Sequence, residues 1–299
     1  MNKTFAYIAG YTDGDGCFNL RKIKIKDSKR VKYQATFIIS STNDRIIEYL
    51  AKTFHGTYRL SSDRQKHIGQ KPQYHFILQG KKSLRFIQNI LPFLIEKKLE
   101  AELFCQFIQS TSKDEKEFLV SKIKDIKKNH NLVVKEHKEV LSPLSNTIIP
   151  CEMDFAYLSG FIDAECSISL TRYHGKSSPN WLYKILLQCN NTKIPTIKWC
   201  LERFGGQIHF IDRHTKDVKQ RDQITWRLCS KSLHNILPKV FPYLRHKKPV
   251  SKELIKFYET TKNLTMSRNN KLFTEHYKPI LEARDKIFHQ IQFLNRKGI

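Results

Sequence analysis

Asp15 and Glu165 hold the same place in two stretches that read almost alike. Ile8-Ala9-Gly10-Tyr11-Thr12-Asp13-Gly14-Asp15-Gly16 returns as Leu158-Ser159-Gly160-Phe161-Ile162-Asp163-Ala164-Glu165-Cys166, 150 positions later. Two copies of one segment can bring their acidic residues to a single point. Carboxylates held together repel and raise one another's pKa, and a cation between them removes the conflict. Their hard oxygen donors suit Mg2+, which activates water and stabilises a leaving oxygen. The chain also carries 53 Lys plus Arg against 28 Asp plus Glu, a formal charge of +25. That excess favours a polyanionic partner, bound in a salt-dependent way through counterion release. The residues therefore point to metal-dependent chemistry on nucleic acid. An anionic membrane surface is the alternative that charge alone would allow.

The segments carrying the acids read as helices that can touch. Gly10-x-x-x-Gly14 and Gly160-x-x-x-Ala164 place small side chains on one face of each, so the two backbones can approach closely. A crossing there sets Asp15 and Glu165 together at the C-terminal ends. A lone glycine more often just ends a helix. Two copies in register, each followed by an acid, favour the crossing.

The repeat runs well past the motif. Phe5-Ala6-Tyr7 matches Phe155-Ala156-Tyr157, Thr42 matches Thr192, Ile47 matches Ile197, Phe54 matches Phe204, and Gly56 matches Gly206. Pro92-Phe93-Leu94 and Lys97-Lys98 match Pro242-Tyr243-Leu244 and Lys247-Lys248. Two copies of one domain explain this; a solenoid would need three or more shorter units. Each copy reads helix, strand, strand, helix, strand, strand, helix. In the first, Phe5–Asp13 is helical, and Cys17–Lys26 and Lys32–Ser40 alternate with period two. Asn43 caps a helix ending near Phe54, Thr57–Ser61 and Gln73–Gln79 are strands, and Ser83–Leu91 and Glu96–Gln109 are helices. The fold class is α+β: two pseudo-symmetric αββαββα half-domains with antiparallel sheets, over residues 1–112 and 151–262. Residues 113–150 make a charged linker with a surface helix at Glu115–Lys127, and residues 263–299 a helical tail interrupted at Pro279.

Composition sets outer bounds. Hydrophobic residues make up 40% of the chain, enough for sizeable cores. No run of about 18 apolar residues is present, so no membrane partner is expected. The apolar start runs into Thr12-Asp13-Gly14-Asp15, unlike a signal peptide. Seven cysteines form no C-x-x-C pair, so zinc and a disulfide framework are disfavoured. Buried thiols in a reducing, intracellular compartment are expected instead. The Lys-, Ile- and Asn-rich wording suggests an AT-rich genome, organellar (mitochondrion or chloroplast) or bacterial.

These residues resemble the LAGLIDADG homing endonucleases, in their monomeric class with two motifs, over about residues 4–110 and 154–262. The resemblance implies saddle-shaped sheets lying along the major groove of double-stranded DNA, with the halves packed through two LAGLIDADG helices. It implies Mg2+-dependent cleavage of both strands, short 3′ overhangs and a role in intron mobility. Mn2+ would substitute, and Ca2+ would support binding rather than cleavage. By resemblance Asp15 and Glu165 are metal-binding acids, and the carbonyls of Gly14 and Ala164 are further ligands. Lys97 and Lys247 match the active-site lysines, beside Lys98 and Lys248; Ser41 and Asn191 match polar positions that order solvent. Asp13 and Asp163 read as helix-end and interface groups. Cys166 replaces Gly16, which could restrict the turn, and Glu165 is longer than Asp15, so the two metal sites need not be equivalent. The retained acids argue against a regulator on the same fold. An intron RNA maturase stays as the alternative, and an intein domain is a poor one because no splicing blocks flank the motifs.

Strand alternation then separates core from groove. Asn19, Arg21, Lys24 and Lys26 are expected to face DNA, after a bulge near Arg21-Lys22 that turns Ile23 and Ile25 inward. Lys32, Gln34, Thr36, Arg59, Ser61, Arg64, Gln73 and His75 complete the first face. Ser169, Thr171, Tyr173, Lys184, Gln188, Gln207, His209, Arg213, Gln223, Thr225 and Arg227 form the second. Arg and Gln read base edges and Lys neutralises phosphate. The faces differ between halves, His75 against Thr225 and Gln34 against Lys184, which predicts a long, non-palindromic target.

Overall fold

The two motif segments form α1 (Asn2–Asp15) and α6 (Glu152–Glu165). Residues 5–13 of α1 and 156–163 of α6 are buried without a break, as expected of a helix enclosed on every side. A Cβ on Gly10 would overlap the Tyr157 carbonyl, and one on Gly160 the Tyr7 carbonyl. Glycine inside a helix costs about 1 kcal/mol against alanine; here it is what lets the two backbones touch.

The computed structural model describes residues 2–25, 30–61, 71–128, 148–175, 181–192, 194–211, 223–262 and 272–297. After α1 come β1 (Gly16–Lys24), β2 (Val31–Ser41), α2 (Asp44–Phe54), β3 (Thr57–Leu60), β4 (Tyr74–Gln79) and α3 (Lys81–Ile90). A short 3-10 turn over Leu91–Phe93 leads to α4 (Lys98–Gln109) and α5 (Lys113–Lys128). The second half repeats this order after α6: β5 (Cys166–His174), β6 (Trp181–Asn191), α7 (Ile194–Phe204), β7 (Gln207–Ile211), β8 (Gln223–Cys229), α8 (Ser230–Val240) and α9 (Lys248–Lys262). The last element is α10 (Leu272–Lys297), which runs unbroken through Pro279. The fold is α+β, with two four-stranded antiparallel sheets ordered β1-β2-β4-β3 and β5-β6-β8-β7. Among the described residues no helix is long and apolar enough to cross a membrane.

Each sheet buries one face under its helices. Phe18, Leu20, Ala35, Phe37, Ile39, Phe76 and Leu78 supply the first core, and Ile168, Leu170, Ile185, Leu187, Trp226 and Leu228 the second. α5 buries Leu119, Val120 and Ile123, and reaches β1 through Lys127 Nζ, which donates to the Phe18 carbonyl. α10 treats β5 alike: Asn295 donates to the Ile168 carbonyl at 3.1 Å, and Arg172 pairs with Asp285. The repeat thus extends into the helices beyond each half's last lysine.

Besides the interruption expected at Pro279, which α10 does not show, two expectations change here. β1 pairs with β2 in an unbroken register from Gly16↔Ile39 to Lys24↔Val31, with no bulge. Ile23 and Ile25 are therefore exposed, and Lys24 falls on the helix-side register of Lys22, whose ammonium binds Glu117 of α5 at 2.7 Å. α5 makes the phase change unnecessary, because it offers Lys22 an acid rather than an apolar surface. The second change concerns the thiols. Cys166 and Cys189 stand opposite on β5 and β6, with Cα atoms 4.1 Å apart, and are joined as a disulfide. Facing positions on neighbouring strands meet that spacing whatever the cysteine pattern in sequence. Among the described residues Cys17, Cys105, Cys151, Cys200 and Cys229 are free.

Candidate active site and nucleic-acid interface

Asp15 and Glu165 are the last residues of α1 and α6, and the helix crossing brings these ends together. A Cβ on Gly14 would lie 2.5 Å from Ala164 Cβ and 2.8 Å from Glu165 Cγ, so only glycine fits. Burial pushes the Asp15 carboxyl up to about 7; Glu165 adds to the rise, and Lys97 and Lys247 oppose it. Glu165 is raised too, by desolvation first, with Lys97 and Lys247 opposing and Glu96 adding. Cys166 has an ordinary extended backbone, φ −92° and ψ 153°, so replacing Gly16 does not strain the turn. Gly16 answers to space instead, since a Cβ there would lie 2.6 Å from Thr12 Cγ2.

Asp13 and Asp163 are buried and fully engaged. Asp13 accepts the Ile95 and Lys97 N–H groups, both at 2.8 Å, and the Tyr157 hydroxyl of the other half at 2.5 Å. Asp163 mirrors it, accepting Arg245 N–H at 2.7 Å, Lys247 N–H at 2.8 Å and the Tyr7 hydroxyl at 2.9 Å. Each aspartate thus ties its own lysine loop to the opposite motif helix. Burial raises the Asp13 carboxyl, and the Tyr157, Ile95 and Lys97 hydrogen bonds pull against that rise.

That tie aims the lysines. Lys97 Nζ donates to the carbonyls of Thr12 and Gly14, and Lys247 Nζ to those of Ile162 and Asp163, all at 2.8 Å. Carbonyls in the last turn of a helix carry partial negative charge and attract a cation. Burial pushes the Lys247 ammonium down, against Asp163, Asp15 and Glu165, which favour its charge. Gly14's carbonyl is therefore shared with an ammonium. Lys98 and Lys248 are exposed and open the following helices.

Ser41 lies 7% exposed at the end of β2. Its hydroxyl oxygen accepts from Tyr11 at 2.9 Å and from Asn43 N–H at 3.0 Å, which places it under the site rather than facing solvent. Asn191, its counterpart, donates to Glu96 at 3.0 Å, and Thr196 donates to the same oxygen at 3.2 Å. Sequence reasoning missed Glu96, Tyr7 and Tyr157. The tyrosines stood in the repeat, but nothing in one chain's spacing pairs them with aspartates in the other half.

The outward sheet faces hold most of the groove residues expected from alternation. Asn19, Arg21, Lys32, Gln34, Thr36, Arg59 and His75 share the first outer face, with Gln73 and Ser61 bonded beyond its last rung. Ser169, Thr171, Tyr173, Lys184, Gln188, Gln207, His209, Gln223 and Arg227 share the second. Thr225 has the outward register but is fully buried, its hydroxyl donating to Asn190 at 2.8 Å. Lys26, Arg64 and Arg213 lie outside the described residues. Among the described residues no group of three or more His, Cys, Asp or Glu could hold a metal ion. The site instead offers two carboxylates and nearby main-chain carbonyls, a hard-oxygen set that fits a divalent ion completed by phosphate and water.

The sequence pattern described as LAGLIDADG endonuclease matches residues 8–108. No curated protein sequence matches the chain. Among solved structures, I-SmaMI bound to an uncleaved DNA target in the presence of calcium ions is similar, at 16% identity and a TM-score of 0.65, over 96% of this chain and 98% of that one. The I-LtrWI LAGLIDADG homing endonuclease bound to target DNA aligns at 18% identity and 0.63, over 95% and 97%. I-GzeII in complex with its DNA target aligns at 18% and 0.59, over 94% and 97%. At such identities the likeness is one of fold, and it spans both halves. Residues 8–108 thus match the LAGLIDADG endonuclease pattern, the motif returns in the second half, and the fold shared with these solved structures spans both halves.

Proposed function

We propose that the chain is a monomeric, site-specific endonuclease that cuts both strands of a long, asymmetric DNA target, with Mg2+ held by Asp15 and Glu165. The observation that carries this reading is the meeting of two carboxylates, both raised in pKa, at the crossed ends of α1 and α6. Acids whose ionisation burial and repulsion oppose mark a site short of positive charge. A chain of charge +25 has another use for such acids than balancing itself. The DNA complexes of I-SmaMI, I-LtrWI and I-GzeII, one with calcium, support the same partner and a divalent ion here.

When bound, Mg2+ lowers the pKa of a water and neutralises charge on the scissile phosphate. The chain's own residues do the rest. Asp15 and Glu165 would hold the ion at the helix crossing, with the Gly14 and Ala164 carbonyls as further ligands. Lys97 and Lys247 stabilise negative charge where it develops, and Asp13 and Asp163 fix those lysines through their loops. The outer sheet faces read the major groove on either side. We place the cuts so that short 3′ overhangs remain, and take intron mobility as the biological role. We divide the chain into half-domains 1–112 and 151–262, each completed by a covering helix, α5 or α10.

The test is selection of binding sites from random duplex DNA in Ca2+, followed by Mg2+ and analysis of the ends. Asp15→Asn and Glu165→Gln should abolish cutting and leave binding largely intact. Undiminished cleavage by both variants would refute the site. Specific binding without cutting by the wild type would favour a binding-only role instead.

A further inference from the structure

The two outer sheet faces differ in chemistry at positions that correspond in register. Cys17 faces Ile38, Ile38 faces Ile77, and Ile77 faces Thr57, so one row crosses all four strands of the first sheet. In the second sheet the row 150 positions later is Ser167, Gln188, Arg227 and Gln207, in the same register. Cys17 and Ser167 each sit two residues past a motif acid, so both rows flank the site at one distance along the molecule.

Their chemistry is opposite. Ile38 and Ile77 are half-buried and have no polar atom to offer a base. A base pair against them leaves its polar edge without a partner, and is best tolerated when it presents the thymine methyl. In the second row Arg227 Nε donates to Gln188 Oε1 at 3.0 Å. Gln188 in turn donates to Asn190 at 3.1 Å, and Asn190 accepts from buried Thr225. This chain of hydrogen bonds orders the guanidinium, whose two terminal nitrogens match guanine O6 and N7.

We propose that these rows set opposite base preferences at matched positions either side of the cut: thymine, in A·T pairs, under Ile38 and Ile77, and guanine, in a G·C pair, under Arg227. The assignment rests on the endonuclease reading above and adds which residues specify which base chemistry.

The test compares sites selected in Ca2+ by the wild type, by Ile38→Gln with Ile77→Arg, and by Gln188→Ile with Arg227→Ile. The first pair should move one arm's preference from A·T to G·C, and the second should move the other arm's, at the matching distance, from G·C to A·T. A second measurement needs no variant: deoxyuridine for thymine at the first row's positions should weaken wild-type binding about fourfold for each methyl lost. A specific site whose base preferences neither pair moves, and in which deoxyuridine is neutral, would overturn the assignment while leaving the endonuclease reading standing. Failure of the wild type to select any specific duplex would overturn both.

Discussion

Without metal, the Asp15 carboxylate should destabilise the fold it serves. Its pKa moves from an ordinary 3.8 to about 7. At about 1.4 kcal/mol for each tenfold change, ionising it in the folded chain is harder by about 4 kcal/mol than in the unfolded chain. The sign follows from proton counting. Between pH 3.8 and about 7 the unfolded chain releases this proton while the folded chain keeps it, so stability falls as pH rises through that window and levels off above it. Asparagine keeps the shape and removes the charge, and it also relieves Glu165 of its neighbour. Asp15→Asn should therefore match the wild type near pH 4 and exceed it by up to about 4 kcal/mol at pH 8. Urea unfolding in EDTA at several pH values, followed by tryptophan fluorescence, reads the difference directly. Divalent metal should then stabilise the wild type much more than the variant. A stability gap that does not grow between pH 4 and pH 8 would refute the claim that desolvation and repulsion strain this carboxylate.

The crossed tyrosines give a second expectation. Tyr157→Phe removes the hydroxyl that Asp13 accepts at 2.5 Å, and should cost about 1.5–3 kcal/mol in denaturant unfolding; an unchanged midpoint would show the tie to be idle. Gly160→Ala pushes a Cβ into the Tyr7 carbonyl, so soluble yield or thermal stability should fall severely, with Ser159→Ala as a milder comparison. Lys247→Met keeps the buried stem but removes the charge beside Asp15 and Glu165; cleavage should drop at least about tenfold with binding retained, and full activity would exclude a role for the ammonium at the phosphate.

What was legible in the chain was what repeats. The motif helices, their small-residue crossing and the outward positions of both sheets follow from an offset of 150 and a period of two, signals that survive in one sequence. What was not legible crosses between the copies. Tyr7 reaches Asp163 and Tyr157 reaches Asp13, across 156 and 144 residues, and Glu96 reaches Asn191 across 95. Such contacts are set by the two-fold arrangement of the halves in space, which a translation along the sequence does not encode. β1 misled for a related reason. Ile23 and Ile25 looked like core because the acid on α5 that receives Lys22 lies 95 residues away. The same two-fold arrangement explains where the copies stay alike and where they part. Asp13 and Asp163 must each hold a lysine loop and meet a tyrosine from the other half, so a change in either copy disturbs both. Ile77 and Arg227 face away from the helices, Arg227 bonded to Gln188 of its own row, and among the described residues no contact between the halves ties one to the other. Outward rows that differ in chemistry, around a centre that keeps its acids and lysines in register, are what the proposed function requires: one reaction at the centre and two different surfaces read beside it.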